Sequence, residues 1–177
     1  MPIAATDILL KFSVVAAAGN TTAGTAAGSL GDQISTTAIT DATLGNLFDD
    51  ITGDENAASE AEYRGIFVHN NHATLTYLSP VVWISAEVAG GAVAALSVDT
   101  TAASVIASAS PQMKTIADEN TAPATQTFSA PTTKATGLAL GDIPPGQCKG
   151  IWIRRTAANT AAVSNDGATI RVEGDTL

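Results

Sequence analysis

Residues 148–154 read CKGIWIR, and the way this stretch alternates decides the fold. In an extended chain successive side chains point to opposite faces, so Ile151 and Ile153 lie opposite Cys148 and Trp152. That is a β-strand. Upstream, Leu138 and Leu140 lead into residues 141–146 (GDIPPG), whose glycines and prolines set a turn. Downstream, Asn165, Asp166 and Gly167 mark another turn before a last strand over 168–174. There Ala168, Ile170 and Val172 point inward and Thr169, Arg171 and Glu173 outward.

The same reading extends toward the N-terminus. Residues 63–70 (YRGIFVHN) form a buried strand that stops at Asn70–Asn71, and 74–79 begins a return strand, which predicts a hairpin. Pro80 forces a break or an edge. Residues 81–87 continue as a strand, with Val82 and Ile84 opposite Val81 and Trp83. Gly90–Gly91 turns the chain into another strand over 93–98. At the other end, residues 7–14 (DILLKFSV) put Ile8, Leu10, Phe12 and Val14 on one face. Asp7, Lys11 and Ser13 share the other with Leu9, the pattern of a half-buried strand.

Residues 33–51 mix Thr-rich strand character with a turn around 44–48. Residues 52–61 suit a helical start too short to build a core. Two stretches carry no period. Residues 16–31, with Gly19, Gly24, Gly28 and Gly31, read as an extended Gly/Ala/Thr arm or loop, ordered by a neighbouring molecule. Residues 99–136, punctuated by Pro111, Pro123 and Pro131, read as an irregular insertion with short strands near 115–116 and 125–128. Closely spaced strands with turns between them and no long helical period predict a single all-β domain. The expected form is a β-sandwich or jelly roll with an extended N-terminal arm or loop.

Size and composition bound the function. A chain of 177 residues buries roughly two-thirds of its unfolded surface on folding, enough for a core without staples. Charged residues make up 14%, against about 25% in an average domain, and Thr, Ala, Ser and Gly fill the gap. Such a surface suits sheets that other subunits cover. The net charge of −9 argues against phosphate-mediated binding of DNA or RNA. Nine acids and a single base, Lys11, fall in residues 1–62, a gradient that would orient subunits or merely samples surface charge. One cysteine, Cys148, permits no internal disulfide and suits a small buried residue. The apolar stretch 80–98 is broken by Glu87 and Gly90–Gly91, so no membrane span is expected. Asp7 and Lys11 interrupt what would be a secretory leader, which is not expected either.

Residues 24–29 faintly resemble a phosphate-binding loop but lack its lysine and following helix. His69 and His72 are spaced H-x-x-H around Asn70–Asn71; two ligands make a poor metal site, and turn residues explain them. The acidic stretch 49–55 offers Asp49, Asp50, Asp54 and Glu55 as candidate ligands for a hard cation. Its spacing fails an EF-hand, and a helix N-terminus accounts for Asp54 and Glu55, so no metal or other cofactor is expected. Arg154 and Arg155 end a strand and point to opposite faces, as strand-end charges or as a stacked or paired arginine at a subunit contact. No catalytic constellation is recognisable.

Two stretches, 44–84 and 137–176, carry "LFDD-x-x-G-x-E", "EYR-x-x-x-V-x-N", "PPGQ" and "IW-x-RR" in that order. About half of the chain thereby resembles a family of virion structural proteins of tailed bacteriophages. The resemblance implies a β-rich, non-enzymatic cement or decoration protein on the capsid exterior, made in the bacterial host cytoplasm. Its partners would be the major capsid protein and other copies of itself, as a homotrimer. No nucleic acid, membrane or small-molecule substrate is implied. A tail, baseplate or fibre component is the alternative, followed by a carbohydrate- or surface-binding sandwich and then an enzyme. The expected contact residues are Gly19, Gly24 and Gly28 of the arm, with Arg154 and Arg155. Deleting 16–31 is then expected to leave the fold intact and weaken assembly.

Overall fold

The structure, a computed structural model, describes residues 2–15 and 19–175. Among the described residues nine strands follow in chain order: β1 (Ile8–Val14), β2 (Gln33–Ala38), β3 (Ala61–Asn70), β4 (Leu78–Glu87), β5 (Val93–Val98), β6 (Ser104–Val105), β7 (Leu138–Ala139), β8 (Gln147–Thr156) and β9 (Ala168–Asp175). One α-helix, α1 (Gly53–Ala58), precedes β3. All strand pairings are antiparallel. The large sheet runs β2-β1-β3-β8-β5 with β6 also on β8, and the small sheet runs β7-β4-β9.

The two sheets form an all-β sandwich because alternation gives each an apolar face. From the large sheet come Phe12, Ile66, Val68, Leu96, Ile151 and Ile153. They meet Val82 and Ile84 of β4, with Ile170 and Val172 of β9 packed against them. Tyr77, Leu140 and Ile143 close one end of this layer.

The opposite face of the large sheet is buried too. Ile34, Phe67, Cys148 and Trp152 project there and are covered by Met113 and Ile116, with Leu30, Ile106 and Phe128 packed alongside. The cover consists of loops from 19–31 and 99–129. Residues 19–31 are therefore no arm waiting for a neighbour. Gly19 N donates to Ser108 O at 3.0 Å, Asn20 N to Ile34 O at 2.6 Å and Gly65 N to Ser29 O at 2.8 Å. A Cβ on Gly24 would lie 2.7 Å from Ser35 Cβ, so glycine lets the loop lie flat on the sheet. The rest of the expected arm, 16–18, lies outside the described residues. For the same reason the polar side of β1 is not solvated: Lys11 and Ser13 are buried beneath the loops.

The predicted hairpin after Asn70 does not form, because β3 and β4 belong to different sheets. Buried Asn70 redirects the chain. Its Nδ2 donates to Leu75 O at 2.8 Å and Ile143 O at 2.9 Å, and its Oδ1 accepts from His72 N at 3.0 Å. These side-chain bonds satisfy a corner that a two-residue turn would otherwise close. Pro80 sits at a register shift within β4, after Ser79 at φ 46°. Of the short strands expected in the insertion, Thr115 makes an isolated bridge to Gly31, and Ser129, just past the second, bridges Leu96.

Candidate functional site

A cluster of charged side chains lies where β3 and β8 pair near the start of β3. Glu62 stands directly opposite Arg155 in the register, and Tyr63 opposite Arg154. Arg155 Nε donates to Glu62 Oε2 at 2.6 Å, and its terminal nitrogens bond Glu62 Oε2, the Asp49 carbonyl and Asp49 Oδ1, the last at 3.3 Å. Arg64, which is buried, pairs with Glu119 and donates from Nε to Leu47 O at 3.2 Å. Both guanidinium groups lie over the Phe48 ring, whose centroid is 4.9 Å from Arg155 Cζ and 5.5 Å from Arg64 Cζ.

Asp49, Glu62 and Glu119 each bring a carboxylate oxygen within 4.8 Å of the others. The chain supplies its own counter-charges there. Two guanidinium groups bond all three carboxylates, so the cluster works as an internal ion network. Burial still pushes the Glu62 carboxyl above its ordinary range, with Arg155 opposing that rise.

The four candidate cation ligands do not assemble. Asp49 joins the network just described. Glu55 Oε2 accepts from Thr52 N at 2.6 Å and Thr52 Oγ1 accepts from Glu55 N at 3.3 Å, a reciprocal cap on α1. Asp54 lies in the same first turn, and Asp50 is exposed beside it. The helix-start explanation of Asp54 and Glu55 holds.

Arg154 and Arg155 do point to opposite faces, and both are engaged within the chain. Arg154 stacks over Phe128 at 5.4 Å, and Phe128 packs edge-on against Tyr63 at 5.4 Å. Gly19 and Gly24 serve close packing, and Gly28 N donates to Thr25 Oγ1 at 3.1 Å inside its own loop. Gly19 is buried, Gly24, Arg154 and Arg155 are half-buried, and Gly28 is exposed.

A second polar group lies beneath the loops. Lys11, His69 and Cys148 project from adjacent strands onto one face, with His69 opposite Cys148 in the register and diagonal to Lys11. Lys11 Nζ donates to Asn20 Oδ1 at 2.9 Å. Gln112 Nε2 donates to Cys148 Sγ at 3.2 Å. Burial pushes the Cys148 thiol up to about 12, which makes it unreactive. Burial and the neighbouring Lys11 charge hold His69 down to about 4, and neither ring nitrogen has a hydrogen-bond partner among the described residues. His72 is at the corner instead, its Nδ1 accepting from Leu75 N at 2.9 Å, so the two histidines serve different ends.

Sequence reasoning missed Asp99, Gln112 and Glu119, which lie in the aperiodic insertion. Asp99 is the hub: its carboxylate accepts from Trp152 Nε1 at 2.9 Å, Lys114 N at 3.0 Å and Thr101 N at 2.9 Å. Both tryptophans are buried, so neither offers an open face for stacking a sugar. The exposed large apolar residues, Val15, Leu44, Val88, Val93 and Val105, lie on separate segments. No family model, curated protein or solved structure matches the chain.

Proposed function

We propose that the chain is a structural protein of a bacteriophage particle, binding the outside of the capsid as a cement protein. One observation carries the reading. The elements that resemble virion proteins meet in space, and their charges are spent on building the fold. LFDD supplies Leu47, Phe48 and Asp49, EYR supplies Glu62 and Arg64, and IW-x-RR supplies Arg155, all to one ion network. At the other end of β3, Asn70 O accepts from Gly146 N of PPGQ at 2.9 Å. A resemblance that marks scaffold residues suits a protein whose work is contact area. The surface left outside is acidic and rich in small neutral side chains, which suits burial against other subunits while repelling nucleic acid.

The test is addition of the purified chain to capsids assembled without it. Co-sedimentation with the shells, at a saturable ratio and with raised resistance to heat, is the expected result. Absence of binding at any concentration removes the cement reading, and binding to isolated tails moves the chain to the tail, baseplate or fibre.

A further inference from the structure

Lys11 is an unusual lysine. Its side chain is buried on the inner side of the loop layer, it forms no ion pair among the described residues, and its ammonium donates to the carboxamide oxygen of Asn20 at 2.9 Å. A buried ammonium facing a neutral amide is poorly compensated, which favours the uncharged amine. Burial accordingly lowers the Lys11 pKa. The fraction of Lys11 that gives up its proton is a nucleophile, and the group it faces is an amide carbonyl.

The two partners are held in place by backbone on both sides. Lys11 lies inside β1, paired with Phe67 of β3 and Ala38 of β2. Asn20 is pinned in the left-handed region at φ 54°, its N–H bonded to Ile34 O at 2.6 Å and the preceding Gly19 N–H to Ser108 O at 3.0 Å. Such fixed approach replaces the entropy that a bimolecular attack would lose. On the same face, diagonal to Lys11, stands His69, whose two ring nitrogens have no hydrogen-bond partner among the described residues. A neutral imidazole there accepts and returns a proton.

We propose that Lys11 and Asn20 become joined by an amide bond, a covalent modification site inside the folded chain. Lys11 Nζ attacks Asn20 Cγ, the C–N bond to the carboxamide nitrogen breaks, and ammonia leaves. His69 takes the proton lost by Nζ and delivers it to the departing nitrogen. No oxidant or external reagent enters, and the product carries no buried charge. The bond closes a covalent ring that ties β1 to the loop layer above it, and it goes beyond the assembly role proposed above.

The experiment is mass spectrometry of the purified full chain after prolonged incubation, folded, at neutral pH. The expected intact mass is one ammonia below that calculated from the sequence. Chymotryptic cleavage after Phe12 of the denatured protein should then leave the Lys11 and Asn20 segments joined. Lys11→Met and Asn20→Ala should each abolish the ammonia loss. In His69→Gln the bond should form about a hundredfold more slowly, the scale of lost proton transfer. Should a variant fail to fold, the digest of the unaltered chain decides alone. A full calculated mass after incubation overturns the proposal. So does an ammonia deficit whose segments separate on cleavage after Phe12, which signals a succinimide. An unchanged rate in His69→Gln removes the imidazole from the reaction.

Discussion

The large sheet buries both faces, one against strands and the other against loops, and the two layers differ in composition. The sandwich layer is aliphatic at its centre, where Ile66, Val68, Leu96, Ile151 and Ile153 meet Val82 and Ile84, while buried Glu62, Arg64, Asn70 and Lys149 share that face of the sheet. Beneath the loops, Trp152, Phe67, Met113 and Ile116 share space with buried Lys11, Ser13, Gln33, His69, Asp99 and Gln112. The difference follows from the backbone. A strand arrives with its N–H and C=O groups already paired in the ladder, whereas a buried loop brings unpaired ones that need partners. Polar side chains from the sheet and the insertion meet that need. Gln112 accepts from Ile34 N at 2.9 Å and donates to Val105 O at 2.9 Å, Ser13 Oγ accepts from Gly31 N at 2.9 Å, and Lys149 Nζ donates to Asp99 O at 2.7 Å. Covering a sheet with loops thus demands polar partners for the loop backbone, which the aliphatic centre of the sandwich does not need.

The largest test of this comparison is removal of the cover. Deleting 19–31 should abolish the cooperative thermal transition seen by circular dichroism, since it uncovers Trp152 and strips partners from β1, β2 and β3. A deletion variant that melts like the full chain would make the loop layer dispensable. Next comes the hub. Asp99→Ala should cost about 4 kcal/mol in denaturant unfolding, because it orphans a buried indole N–H and two backbone N–H groups at once. Leu96→Ala, in the sandwich layer, should cost about 3 kcal/mol through its cavity alone. The reverse order would mean that the polar groups contribute little.

Acid should separate the layers as well. An unfolded histidine takes up its proton near pH 6.5, whereas folded His69 does so only near 4. Between those values the unfolded state binds more protons, so stability falls as pH drops through that window, by about 3 kcal/mol. Burial of Glu62 acts in the opposite direction, so the contribution is read as the difference between the chain and His69→Phe across a pH series of denaturant melts. A His69→Phe variant with the same pH slope would contradict the assignment. At the small end, Lys134 and Glu173 pair at 3.5 Å on the surface with both side chains well exposed. Lys134→Ala should change stability by less than about 0.5 kcal/mol.

Much of the sandwich layer was legible in the sequence, because alternation reports which residues share a face. The opposition of Ile151 and Ile153 to Cys148 and Trp152, the inward Ile170 and Val172, and the helical start that Asp54 and Glu55 mark all follow from local pattern. The loop layer was not legible. Its residues follow no period, and whether Ser29, Asp99 or Gln112 is buried depends on contacts distant in sequence. The corner at Asn70 was misread for a related reason: an Asn-Asn pair serves a hairpin or a sheet-to-sheet crossing equally well, and Ile143, far along the chain, decides between them. Of the candidate site residues, Arg155 and Asp49 could be singled out as charges, but their meeting with Glu62 needed the β3–β8 register.

We propose that this fold serves as a contact surface on a capsid. The most direct measurement is an electron cryo-microscopy reconstruction of the particle assembled with this chain, traced into density. The account predicts the sandwich on the outer surface where capsomers meet, in several copies around a symmetry axis. Density confined to the tail would contradict the capsid placement, and absence from the particle would contradict the structural role altogether.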